Sequence, residues 1–162
     1  MLKDWNKVEQ PTAEEVDKRL ANAKNSLLQQ QIAMKEKKLP VIVLLEGWGA
    51  AGKGSVLGKL IKNIDPRFFK VAVMDEPTEE EKRKPFLYRH FVKIPEAGKF
   101  VFMDSGWMSE VTSQKLSGEL SEEEYKKRIE SIKRFERQLT DNGYLLLKFF
   151  FNIDKKEQKK RL

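Results

Sequence analysis

A continuous apolar stretch, Val41 to Leu45, runs directly into the glycine-rich stretch Glu46–Ser55, which reads EGWGAAGKGS. An apolar run rich in β-branched residues is typical of a strand covered on both faces. The glycines predict a tight turn, and the apolar residues between Val56 and Ile64 recur at helical spacing, which predicts a helix over 53–64. A buried strand, a turn and a helix in this order favour an α/β fold, because the helix must pack back against the sheet.

The turn matches the spacing of a phosphate-binding loop, G-x-x-x-x-G-K. Such a loop binds phosphate through main-chain N–H groups, the N-terminus of the following helix and a lysine. The hydroxyl that usually follows this lysine is displaced, because Gly54 stands there and Ser55 comes one residue later. The alternative is a chance glycine-rich turn. We expect phosphate to be bound by the following residues: Gly47, Gly49, Ala50, Ala51, Gly52, Lys53, Gly54 and Ser55.

A carboxylate ends the third predicted strand, Lys99 to Asp104. One residue of helix is about 100° of rotation, so Ser55 does not replace the usual magnesium-binding hydroxyl without an adjustment of the helix start. The metal must then depend on another oxygen. Many strands end in aspartate at a plain turn, but beside a phosphate-binding loop such a carboxylate favours a magnesium ligand. We therefore predict Mg²⁺ as the cofactor and Asp104 as its ligand.

Four apolar segments predict four buried strands, over 41–45, 69–74, 99–104 and 144–151. Helices are predicted over 12–37, 53–64 and 79–92, with Pro85 a break or kink in the third, and from Ser121 to Gly143. The alternation predicts a three-layer α/β, P-loop NTPase-like fold, with a mainly parallel sheet and helices on both faces. Residues 1–38 are predicted to form an N-terminal helical extension, and residues 39–162 the core.

Composition bounds the partners and the kinds of site. The chain has 32 Lys and Arg against 25 Asp and Glu, which favours an anionic partner or simply a charged surface. It has no cysteine and one histidine, His90, which excludes disulfides and argues against a zinc site. The sequence contains no membrane-length apolar run and no signal peptide, so a cytoplasmic protein without a membrane partner is expected. The lysine-rich segment 155–161 lacks interleaved aromatic residues, so nucleic acid is not an expected partner.

Several sequence blocks together resemble one family. They are EGWGAAGKGS, IDPRFFKVAV, EPTEEEKRKPFLYRHFVKIPEAGKFVFMDSGWMSEV and NGYLLLKFFFNIDKKEQKKRL. Their order and spacing, from about Leu39 to Leu162, resemble the family-2 polyphosphate kinases of the polyphosphate:AMP phosphotransferase type, some of which carry two copies of the domain. The resemblance implies a P-loop kinase that transfers phosphoryl groups between inorganic polyphosphate and AMP or ADP with Mg²⁺, and a homo-oligomer. It implies catalytic roles for Lys53, Asp104 and Arg89, with Arg89 contacting the phosphate chain.

The sequence departs from the family pattern in three places. Gly49 stands where the family loop usually has aspartate, and Asp104-Ser105-Gly106 lacks the arginine of the usual D-R-S-W-Y. A basic lid is expected beyond Leu162. The enzyme is the expected function by family, although we expect little turnover from this chain alone. The alternatives are a catalytically silent P-loop domain of a duplicated enzyme, which serves assembly or polyphosphate binding, and an ATP-dependent nucleotide kinase.

Overall fold

Four parallel strands form the sheet of the computed structural model, which describes residues 11–162. The first ten residues of the predicted extension lie outside the described residues. The order across the sheet is β2-β3-β1-β4. The strands are β1 (Val41–Gly47), β2 (Phe69–Val73), β3 (Phe100–Asp104) and β4 (Leu145–Phe151). The helices are α1 (Ala13–Glu36), α2 (Lys53–Ile61), α3 (Glu79–Lys82), α4 (Tyr88–Phe91), α5 (Trp107–Ser117), α6 (Glu122–Asp141) and α7 (Lys155–Arg161).

The two central strands, β1 and β3, are covered on both faces. Ile42 and Leu44 of β1 pack on one face with α5 and α6, and Val43 and Leu45 pack on the other with residues of α1 and α2. Alternate residues of a strand point to opposite faces, so a strand buried on both needs a continuous apolar sequence. The three-layer α/β fold and the parallel sheet are confirmed.

Strand β4 differs from the prediction, because it is not a buried strand. It pairs only with β1 in the described sheet, and Leu147, Phe149 and Phe150 are 38%, 50% and 57% exposed. Strand β2, at the opposite edge, also leaves most of its side chains accessible. An apolar run predicts a strand but does not give its place in the sheet, which depends on the order of pairing.

The helix starts agree with the sequence more closely than the helix lengths do. Capping boxes of Thr12 with Glu15 and of Ser121 with Glu124 open α1 and α6, as predicted. The sequence predicts a break or a kink at Pro85 in the helix over 79–92, and the structure has the break: two short helices, α3 and α4, lie on either side of Pro85. Helix α5 was not predicted.

Helix α1 is largely exposed. Only Gln31 and Met34 of α1 are buried. The domain boundary between residues 38 and 39 stays a prediction.

The carboxyl ends of the two central strands lie side by side. Leu45 of β1 is in register with Asp104 of β3, which is also in register with Val73 of β2. Strands β3 and β2 lie on one side of β1, and β4 lies on the other side. In open α/β sheets, ligands bind at the carboxyl ends of the strands where the strand order reverses in this way. Within residues 11–162, none of the helices combines the length and the apolar character that a membrane crossing needs.

Candidate phosphate-binding site

The loop between β1 and α2 requires glycine at its start. Gly47 has φ of +134°, and a Cβ there would lie 2.3 Å from the main-chain oxygen of Phe151 in β4. The next residue, Trp48, donates its main-chain N–H to that same oxygen at 3.3 Å. Gly47 therefore allows the loop to leave β1 in close contact with β4, which no residue with a side chain can do without a shift of the main chain.

Helix α2 begins with main-chain N–H groups that no side chain caps. Its N-cap residue is Gly52, at φ of +94°, and no side chain of the described residues makes a capping hydrogen bond there. The first N–H groups of a helix have no partner within the helix, and the helix dipole adds partial positive charge at this end. The start of α2 can thus bind an oxyanion, as the motif predicts.

Side-chain donors occupy four consecutive carbonyl groups of the loop. The ammonium group of Lys53 donates to the carbonyl oxygens of Gly47 and Trp48, both at 3.2 Å. The next two carbonyls accept from α7: Gly49 from the Gln158 amide at 3.0 Å and Ala50 from the Arg161 guanidinium at 3.4 Å. Because the carbonyl dipoles are occupied by donors, the loop offers an anion mainly its N–H groups and cations.

One cavity brings the loop and the predicted metal ligand together. It has a volume of about 500 Å³. It is lined by Ala50, Ala51, Gly52, Lys53, Gly54, Ser55, Val73, Met74, Asp104, Ser105 and Arg161. Six of the eight predicted phosphate-binding residues line this cavity, while Gly47 and Gly49 do not. The contribution of Gly47 is conformational, because its positive φ lets the main chain turn from β1 into the loop.

The oxygens of the cavity fit Mg²⁺ better than a metal that requires a complete protein cage. Asp104 supplies a partly buried carboxylate and Ser55 an exposed hydroxyl. Residues 11–162 contain no group of three or more His, Cys, Asp or Glu side chains arranged for a metal ion. Magnesium in nucleotide sites is usually held by one or two carboxylates together with phosphate oxygens and water. Asp104, together with phosphate oxygens and water, is compatible with that pattern.

Arg161 is a residue of the cavity that the sequence reasoning missed. Its Nε lies 2.6 Å from the Glu157 carboxylate, one helical turn earlier in α7, and its Nη1 reaches the loop. The lysine-rich run that contains it was considered only for nucleic-acid binding. A usable signal was present, because α7 follows β4 and the carboxyl ends of parallel strands lie at one edge of the sheet.

Arg89 lies outside the cavity and is 5% exposed. Its guanidinium donates to the main-chain oxygen of Asp75 in the connection after β2, and its Nη1 lies 3.8 Å from the Glu110 carboxylate of α5. The imidazole of the neighbouring His90 is fully buried and lies 3.0 Å from that carboxylate. Arg89 therefore ties α4 to the connection that carries Met74, and its contact with a phosphate chain stays a prediction.

Comparison with known proteins places this geometry in a family. The model of the polyphosphate kinase 2 family matches residues 10–162. The chain belongs to the polyphosphate kinase 2 family.

Two relatives illustrate the similarity. The polyphosphate:AMP phosphotransferase of Pseudomonas aeruginosa is 33% identical over 147 residues, which are 90% of this chain and 30% of that protein. The ADP-polyphosphate phosphotransferase 3 of Rhizobium meliloti is 31% identical over 144 residues, which are 89% of this chain and 51% of that protein. The chain thus spans about half, or less, of the length of these polyphosphate kinase 2 relatives.

Solved structures share the fold over almost the whole chain. The crystal structure of a candidate polyphosphate kinase 2 from Pseudomonas aeruginosa superposes with a TM-score of 0.92 at 30% identity, covering 99% of this chain and 35% of that one. The polyphosphate kinase 2 of Arthrobacter aurescens gives a TM-score of 0.89 at 27% identity, covering 94% of this chain and 56% of that one. The fold described above is the fold of this family.

Proposed function

We propose that this chain carries the phosphate- and metal-binding site of a polyphosphate-dependent nucleotide phosphotransferase, which transfers phosphoryl groups between inorganic polyphosphate and AMP or ADP. One observation carries the proposal. Lys53, Asp104 and the uncapped start of α2 line the same cavity, so a phosphate chain and its counter-ion have partners of the right charge within one space. The relatives named for polyphosphate and AMP or ADP support the choice of substrates.

Each residue has a separate task in this proposal. The N–H groups at the start of α2 bind the phosphate oxygens, and Lys53 turns from the loop carbonyls toward the phosphate when it is bound. Arg161, which reaches the loop from α7, adds a second cation to the cavity. Asp104 would hold Mg²⁺, which neutralises charge on the phosphates. The phosphate of AMP is already ionised, so the site needs charge neutralisation and positioning more than a general base.

The departures from the family pattern favour a second candidate for this chain alone, a silent domain that binds polyphosphate or supports assembly into an oligomer. Gly49 removes a carboxylate from the loop, and Ser105 removes an arginine that would face the cavity. Arginine contacts with a transferring phosphoryl group are worth about 10³-fold or more in rate. Phosphate binding through N–H groups does not depend on these two side chains. The silent domain therefore binds polyphosphate with little turnover.

A steady-state assay with polyphosphate, AMP and Mg²⁺ separates the two candidates. Turnover of about 1–100 per second, the ordinary range of kinases, excludes the silent domain. Polyphosphate binding without turnover excludes an active enzyme for this chain alone. A chain that binds neither polyphosphate nor pyrophosphate contradicts both.

Competition between polyphosphate and ATP tests the choice of phosphate donor. Titration of the protein with each ligand, alone and against the other, gives their relative affinities. We expect polyphosphate to bind and to displace ATP. If ATP binds and polyphosphate of every length fails to bind, an ordinary ATP-dependent nucleotide kinase replaces the proposal.

A further inference from the structure

Glu46 is a buried carboxylate with no role in the proposed chemistry. It lies in β1 just before the phosphate-binding loop, and it is 7% exposed. No Lys, Arg or His of residues 11–162 forms a salt bridge with it, and its Oε1 has no hydrogen-bond partner within that range. A buried carboxylate is costly unless hydrogen bonds or opposite charge compensate it, so this position calls for a specific reason.

The other carboxylate oxygen of Glu46 caps a helix that belongs to a different part of the chain. Its Oε2 accepts a hydrogen bond from the main-chain N–H of Ser109 at 3.1 Å and another from the Ser109 hydroxyl. Ser109 is the third residue of α5, and the N-cap position of that helix is Gly106, which has no side chain. An acceptor at the third N–H is what an N-cap side chain normally provides, and a negative charge there also suits the helix dipole.

Two further observations show that the connection between β3 and α5 lies against the same strand. The main-chain N–H of Ser105 donates to the carbonyl oxygen of Leu45 at 3.2 Å. A Cβ at Gly106 would lie 2.7 Å from Oε1 of Glu46 and 3.0 Å from Cδ2 of Leu44. The connection therefore lies against the end of β1, and only glycine fits at residue 106 without displacing the carboxylate.

We propose that Glu46 is a positioning residue that couples the phosphate-binding loop to Asp104. By capping α5 from β1, Glu46 holds the two-residue link between Asp104 and α5 against the strand from which the loop starts. The position of the Asp104 carboxylate relative to the start of α2 then depends on Glu46, although Glu46 does not line the cavity itself. This inference rests on the proposed function only in giving Asp104 the role of metal ligand.

Two substitutions at Glu46 separate positioning from simple folding. Glu46→Leu has similar volume and removes both the acceptor and the buried charge, so the fold is expected to persist. Glu46→Gln keeps an acceptor for the Ser109 N–H and serves as the conservative rescue. Glu123→Gln, on the exposed surface of α6, removes a carboxylate that has no contact with the site and is the matched control.

The first measurement is calorimetric binding of pyrophosphate, with Mg²⁺ and with a chelator. We expect the metal-free pyrophosphate affinity of Glu46→Leu to stay within about twofold of the wild type, because the loop N–H groups bind without Asp104. The gain in pyrophosphate affinity that Mg²⁺ gives should fall about tenfold. Glu46→Gln is expected to restore most of that gain. An unchanged gain in Glu46→Leu, or an equal loss with and without metal, overturns the positioning role. A wild-type chain that binds no pyrophosphate contradicts the proposed function instead.

The second measurement needs no ligand and tests the positioning role independently. Amide hydrogen exchange in Glu46→Leu is expected to speed up at residues 105–109 by about tenfold while the start of α2, residues 54–57, keeps its wild-type rates. In Glu46→Gln, the exchange rates of residues 105–109 should lie between those of the wild type and those of Glu46→Leu. Equal acceleration at both segments, or none at residues 105–109, overturns the inference.

Discussion

Two neighbouring connections at the carboxyl edge of the sheet form the site in different ways. The β1–α2 loop presents its main chain: its shape depends on Gly47 and Gly52 at positive φ, and four of its carbonyls accept from side-chain donors. The end of β3 and its connection to α5 present side chains, those of Asp104 and Ser105. A site made from main chain tolerates changes of side chain, and a site made from side chains does not. The departures from the family pattern that are expected at Gly49 and Ser105 therefore have unequal consequences.

The largest effect is expected where the main-chain loop loses its glycine. Gly47→Ala places a Cβ against the β4 main chain at a φ that disfavours side chains, and we expect it to lower the free energy of unfolding by about 3 kcal/mol or more. Urea denaturation measures the change. Gly58→Ala is the matched control, because it lies within α2 with nothing within 4 Å of its Cβ, and we expect a gain of about 0.5–1 kcal/mol. Equal free energies of unfolding for Gly47→Ala and Gly58→Ala contradict the statement that the shape of the loop depends on Gly47.

The second effect concerns the one charged side chain within the main-chain loop and its helix start. Lys53→Ala is expected to weaken metal-free pyrophosphate binding about 10- to 100-fold, because a hydrogen bond to a charged group is worth about 1.5–3 kcal/mol. The matched control is Lys59→Ala, which removes an exposed lysine near the other end of α2. Calorimetry measures both. Equal affinities of the two variants show that Lys53 stays on the loop carbonyls.

The sequence predicts the β1–α2 loop well because every signal there is local. The glycine spacing, Lys53 and the apolar strand before them lie within about twenty residues, and the capping boxes at Thr12 and Ser121 are equally local. The start of α5 was missed because its capping group, Glu46, lies 63 residues earlier in the chain. A cap that comes from another strand leaves no pattern at the helix that it starts.

The place of β4 in the sheet and the burial of Arg89 also depend on tertiary structure. Strand β4 has the apolar sequence of a central strand, yet the described sheet places it at an edge. The sequence does not show that the Arg89 guanidinium is buried against Asp75 and Glu110, and the contact of Arg89 with a phosphate chain stays a prediction. Sequence gives residue type and local spacing, whereas strand order and burial arise from contacts between distant segments.

The third effect tests the side-chain connection. Asp104→Asn is expected to abolish the gain in pyrophosphate affinity that Mg²⁺ gives, because the amide is a far weaker ligand than the carboxylate. Metal-free binding should stay the same or tighten, since a negative charge leaves the cavity. Isothermal titration with Mg²⁺ and with a chelator measures both affinities. Asp75→Asn, in the connection after β2 and outside the cavity lining, is the matched control. If Mg²⁺ still raises the pyrophosphate affinity of Asp104→Asn, Asp104 is not the metal ligand.

The smallest effects are expected from introducing the two side chains that the family pattern would place at residues 49 and 105. Ser105→Arg places a cation at the cavity, where residue 105 already has φ of +64°, and we expect about threefold tighter pyrophosphate binding that disappears at high salt. Ser113→Arg adds the same charge on the exposed side of α5 and is the control. Gly49→Asp has room, since the nearest group to its Cβ is the Gln158 amide at 3.9 Å. It adds negative charge and should weaken metal-free binding slightly.

The double variant, Gly49→Asp with Ser105→Arg, connects these small binding effects to catalysis. Because positioning and charge neutralisation supply most of the rate of phosphoryl transfer, the restored pair matters only when enough cations surround the transferring group. We expect the isolated double variant to turn over as slowly as the wild-type chain, and a version that also carries a family lid to turn over faster than the same version without the two substitutions. If the two lid-carrying versions turn over at the same rate, the residues present at positions 49 and 105 do not limit the rate of phosphoryl transfer.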